Sequence, residues 1–150
     1  MWENLIKKIE EILKANDKIA EVYSYESEIF KGSPAVSITP SSNESDYKTT
    51  NDNERIYAFN IRIFVNRSVA PAGQKVEYHS DRVLRTLVDS ILDDFDKNYN
   101  LSGIEQPTGY CFINMFASPS SWGYAGREDE YRACEIILRC RVYVDVNSIS

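Results

Sequence analysis

Asp94, Asp96, Asn98 and Glu105 form the sharpest chemical pattern in the chain. In the run Asp94-Phe-Asp96-Lys-Asn98-Tyr-Asn100-Leu-Ser102-Gly-Ile-Glu105, oxygen-bearing side chains fall at positions one, three, five, nine and twelve of a calcium-binding loop. Such a loop needs glycine at position six for its sharp turn, and Tyr99 stands there. Its exit helix is also blocked, because Pro107 cannot continue a helix and a strand-like run follows. The bland reading is a solvated, acidic helix end that runs into a turn, with no metal and no cofactor. A calcium- or ligand-binding module is the competing reading, and mass action then makes heat stability rise with added calcium.

Catalysis finds less support. His79 is the single histidine, which removes any two-histidine metal site and leaves one candidate base. It precedes a helical stretch, where a capping or surface role is expected. Cys111, Cys134 and Cys140 are odd in number, form no C-x-x-C pair and each sit in an apolar run, so buried free thiols are expected. Asp89 and Asp93 fall on the polar side of a helix and read as solvated. The sequons at Asn43, Asn66 and Asn100 carry no meaning in a cytoplasmic chain. No nucleophile with its base and no phosphate-cradling glycine loop appears, so the expectation is a protein that is not an enzyme.

Composition sets the frame for these residues. The chain has 150 residues, is 43% hydrophobic and 12% aromatic, and carries ten tyrosines, a makeup that folds as one domain. Its net charge of −6 argues against gripping nucleic acid, since phosphate binding rests on clustered Lys and Arg. No stretch approaches the roughly 20 apolar residues of a membrane span. The opening residues lack the apolar core of a signal peptide, so a soluble, cytoplasmic product is expected.

The elements follow from periodicity. Trp2, Leu5, Ile6, Ile9, Ile12 and Leu13 share one helical stripe over about residues 2 to 15. Ile19 to Tyr25 and Ala35 to Thr39 read as short strands. Pro40 to Glu54 is almost wholly Ser, Asn, Asp, Thr and Glu, with Tyr47 its one aromatic, and is expected to be a mobile polar loop. Arg55 to Asn66 alternates, with Tyr57, Phe59, Ile61, Ile63 and Val65 on one face. Val83, Leu84, Leu87, Val88, Ile91, Leu92 and Phe95 mark a second helix that starts near Ser80 or Asp81. Tyr110 to Ala117 and Tyr131 to Val146 supply two more strands, with Ser118 to Glu130 a loop between them. The expected fold is α+β, a single mostly antiparallel β-sheet with two amphipathic helices packed on one face.

In size and element order, the chain resembles the tail terminator, or tail completion, proteins that join head to tail in long-tailed bacteriophages. The matching features are the Trp2 to Leu13 helix, the polar segment before the Arg55 to Asn66 strand, the Val83 to Phe95 helix and the closing strand Tyr131 to Val146. The resemblance covers nearly the whole chain. It implies a virion protein at the tail or neck, made in the host cytoplasm, that assembles with itself as a ring, commonly of six copies. Such a ring caps the tail tube protein, faces the head-tail connector protein, and lets DNA pass through an acidic lumen without sequence-specific binding or any membrane contact. An adaptor of a phage-like secretion machine shares this logic with a different partner.

Under that resemblance the polar segment and the Ser118 to Glu130 region are the leading contact regions. Trp122 and Tyr124 come first, because exposed aromatics are enriched at interfaces. Tyr47 is the aromatic of the polar segment. Arg139 and Arg141 share a strand face, where they pair with a neighbour's carboxylates or, equally well, form cross-strand pairs in a solvated face.

Overall fold

The computed structural model describes residues 1–27, 29–68 and 71–149. Two helices, α1 (Trp2–Lys14) and α2 (Val76–Lys97), cover one open mixed sheet. Its strands are β1 (Glu21–Tyr23), β2 (Ala35–Tyr47), β3 (Asp52–Asn66), β4 (Tyr110–Ala125) and β5 (Tyr131–Asp145), in the spatial order β1-β2-β3-β5-β4. All neighbours are antiparallel except β1 and β2, which run parallel over three residues. The fold is α+β, as the order of periodicities implies.

The helix-bearing face of the sheet is the one that alternation marked. Tyr57, Phe59, Ile61, Ile63 and Val65 of β3 are buried, and so are Cys134, Ile136, Leu138, Cys140, Val142 and Val144 of β5. Leu5, Ile9 and Leu13 of α1 are fully buried against them, and Trp2 meets Tyr57 and Phe59 edge-to-face at 4.8 and 5.1 Å. From α2, Leu84, Leu87, Val88, Ile91 and Phe95 complete the core. Asn16 fastens the two helices together. Its amide donates to Ser90 Oγ at 3.0 Å and Asp94 Oδ2 at 2.7 Å, and its carbonyl oxygen accepts from the Lys18 backbone N–H.

Four expectations need correction. Helix α2 begins at Val76, so His79 lies within its first turn and not ahead of it. Cys111 is exposed, because it points to the helix-free side of β4; only Cys134 and Cys140 are buried, and all three are free thiols. Burial pushes the Cys134 thiol up to about 11 and that of Cys140 up to about 12.

The polar segment 40–54 is not a loop. It belongs to a β-hairpin whose pairing runs from Ser42 opposite Ala58 to Tyr47 opposite Asn53. Composition argued that this segment buries too little to order itself, and indeed β2 is exposed from Ser41 onward. Its backbone instead adds to β3, which is already held on its other side by β5 from Asp52 opposite Asp145 onward. The turn is closed by Lys48 N–H to the Asp52 carbonyl at 2.9 Å and by Thr49 Oγ1 to Asp52 Oδ2 at 3.1 Å.

The Ser118 to Glu130 segment is likewise strand as far as Ala125. Two bulges, between Phe112 and Asn114 and between Pro119 and Ser121, break the alternation of β4 and disguise it in the sequence.

Candidate assembly surfaces

Trp122 and Tyr124 stand two residues apart on the edge strand β4, opposite Cys134 and Arg132. Both face the helix side, and both stay substantially exposed, at 46% and 54%. Two guanidinium groups, those of Arg67 and Arg132, each lie 4.8 Å from the Tyr124 ring centroid. Arg132 is held in turn by Asp81 of α2, at 2.6 Å from Nε to Oδ1, and by the Gly123 carbonyl. Trp122 lines a shallow cleft with Asp81, Leu84, Arg85 and Arg132. The aromatic pair is therefore displayed on a braced strand.

The helix-free face of the sheet carries the arginines. Arg141 donates from Nε to Glu54 Oε1 at 2.9 Å, and this hydrogen bond holds the Glu54 carboxyl below the ordinary carboxylate range. Arg62 pairs with Glu135 at 2.9 Å and with Glu26 at 3.1 Å. Arg141 is thus engaged within its own chain. The Arg139 side chain, opposite Ala58 and Phe116, makes no hydrogen bond or ion pair among the described residues. One end of this face is covered by Phe30, which stacks on Phe64 at 4.6 Å and meets Tyr131 edge-on at 5.1 Å. The other end is bare, with Phe116 and Tyr143 exposed at 47% and 40%.

Tyr47 marks the end of a third surface. It is 60% exposed at the tip of the β2–β3 hairpin, opposite Asn53, with Glu44, Asp46 and Asp52 on the other face of the hairpin. β1 pairs only with Ala35 to Ser37, so the remaining outer edge of β2 has no strand beside it among the described residues.

A fourth feature was not legible in the sequence. A groove of about 460 Å³ runs beside the first turns of α2, with Pro34, Val83 and Leu87 forming its apolar lining and Lys18, His79 and Arg82 its basic one. Lys18 and Arg82 lie more than sixty positions apart, and no local pattern links them. His79 lines this groove with no Cys, Asp or Glu among the described lining residues.

The calcium pattern does not assemble. Asp94 and Asp96 lie inside α2, where residues two apart point to different sides. Asp94 accepts from Asn16, the Asn98 amide donates to the Asp94 carbonyl at 2.8 Å, and Glu105 lines a cleft with Lys7 and Lys8. Among the described residues no group of three His, Cys, Asp or Glu side chains is placed to hold a metal, and no helix is long and apolar enough to cross a membrane.

No protein-family model and no curated protein matches the sequence. The fold is shared with a chain of the virion of a native gene transfer agent particle. That chain is 12% identical, with a TM-score of 0.60 over 93% of this chain and 94% of the other.

Proposed function

We propose that the protein is a structural component of a phage-like virion that forms a ring at the end of the tail tube and joins it to the head connector. The observation that carries this reading is the fold shared with the gene transfer agent virion chain, which extends over nearly the full length of both proteins. The role is mechanical, without a substrate or cofactor.

The surfaces support the same reading. Among the described residues two sheet edges stay open, the helix-free face is bare around Arg139 and Phe116, and an aromatic pair stands on a braced edge strand. Association between copies and with flanking virion proteins gives each of these a use. The net charge of −6 suits a ring through which DNA passes without adhering.

The test is the mass of the purified protein across a concentration series by light scattering, with negative-stain imaging of the largest species, alone and with tail tube protein. Closed rings with a central hole are expected, alone or on the tube end. A chain that remains monomeric under both conditions sinks the reading.

A further inference from the structure

We infer that the acidic tip of the β2–β3 hairpin of one copy docks, Tyr47 first, into the basic groove beside α2 of the next copy. This inference rests on the proposed ring and names the contact that builds it.

Charge and shape make the two surfaces complementary. The tip carries exposed Tyr47 on one face and Glu44, Asp46 and Asp52 on the other, with two cations, Lys48, already occupied by Asp46 at 2.7 Å, and Arg55, held by the Tyr110 hydroxyl at 2.9 Å. The groove carries Lys18 and Arg82, neither in an ion pair among the described residues, over the apolar surface of Pro34, Val83 and Leu87. A phenol ring has an apolar body and a polar end, which suits a pocket that is apolar within and basic at the rim.

The length of β2 decides that the contact is between copies. Pro34, in the groove lining, immediately precedes β2, and Tyr47 is its last residue. Thirteen extended residues separate base from tip by about 40 Å. The strand is pinned along this length by β3, so a chain cannot place its own Tyr47 in its own groove. Tip and groove are also different patches. A contact between them is head-to-tail, the type that propagates until it closes as a ring, whereas a shared patch stops at a two-fold dimer.

The experiment uses two variants of the full chain. One is Glu44→Lys/Tyr47→Ala at the tip, the other Lys18→Glu/Arg82→Glu in the groove, each checked for native unfolding temperature. Each alone is expected to raise the concentration for half-assembly by roughly thirtyfold, the size of one interface hot spot. Mixed, they are expected to form a one-to-one dimer and nothing larger, since only one intact tip meets one intact groove. A Ser45→Cys/Thr86→Cys chain, which keeps Tyr47, in a Cys111→Ser background is expected to give a ladder of disulfide-linked multimers. Rings that persist in both variants overturn the tip-and-groove contact and leave the ring standing. A two-fold dimer of the unaltered chain, or no cross-linked ladder at any concentration, also overturns the contact. Open filaments that both variants abolish support the contact and count against the ring.

Discussion

Arg132 of β5 donates to Asp81 of α2 at 2.6 Å, and among the described residues this is the one ion pair that ties the sheet to a helix. The same guanidinium sits 4.8 Å over the Tyr124 ring, so one side chain sets both the docking of α2 and the posture of an exposed aromatic. Arg132→Ala is expected to cost about 1–2 kcal/mol, within the range for a partly exposed charged hydrogen bond. Chemical denaturation reads the cost. An Arg132→Lys variant keeps the charge and loses the planar fork over the ring, so it is expected to recover only part of the loss. Full recovery by lysine would show that charge alone matters.

Asn16 gives both amide hydrogens to α2, and its carbonyl oxygen holds the turn after α1 through Lys18. Asn16→Ala leaves Asp94 and Ser90 without that donor in a nearly buried site, at an expected cost of about 1–3 kcal/mol. Hydrogen exchange is expected to rise first at the end of α1. Unchanged exchange there would rule out the fastening role.

Glu54 gives the fold a defined acid sensitivity. Its carboxyl is held below its ordinary value of 4.5 by the hydrogen bond from Arg141. The charged form is therefore favoured in the folded state. The stability it adds is fully present above about 4.5 and is lost as pH falls through the depressed folded value. In Glu54→Gln this contribution is missing, so the gap between the two proteins in urea midpoint is expected to be flat at neutral pH and to narrow in acid. A gap that stays constant to the acid limit of folding would assign the loss to shape alone.

The thiols divide sharply. Cys111 is exposed, while burial holds Cys134 and Cys140 far from their reactive thiolate forms. A thiol reagent at neutral pH is expected to modify one cysteine per native chain at once and the other two only on unfolding, as intact mass will report.

Trp122 and Tyr124 test the proposed assembly independently of the hairpin. Trp122→Ala/Tyr124→Ala is expected to weaken assembly or docking to a partner by roughly tenfold or more, with little change in monomer stability. A fall in stability with no selective assembly defect would make the pair structural.

Core and helices were legible because periodicity survives wherever one face is buried: the α1 stripe, the odd positions of β3 and the even positions of β5 all lie where alternation put them. Sheet edges were not. β2 beyond Pro40 is polar on both faces, so the burial signal vanishes although backbone pairing with β3 persists. In β4 the alternation slips at Phe112/Asn114 and again at Pro119/Ser121, which hid the strand that carries Trp122 and Tyr124. The surfaces were legible only in part. Tyr47, Trp122 and Tyr124 fall in segments of polar and turn-forming residues, and all three are exposed. The groove joins Lys18 to Arg82 across the fold, and only the tertiary structure brings those cations together.

The strand order also sets a timetable for acquiring the fold. β2–β3 and β4–β5 are local hairpins, closed by turns of a few residues, and each forms early. The seam between them pairs Asp52 with Asp145 and Asn66 with Tyr131, residues more than sixty positions apart, so loop-closure entropy makes this long-range closure the expected slow step. Until it happens the apolar sides of both hairpins stay open to solvent. Newly made chains at high concentration therefore face their greatest risk of sticking to one another just before β3 meets β5, and cooler, slower expression should raise the yield of native protein.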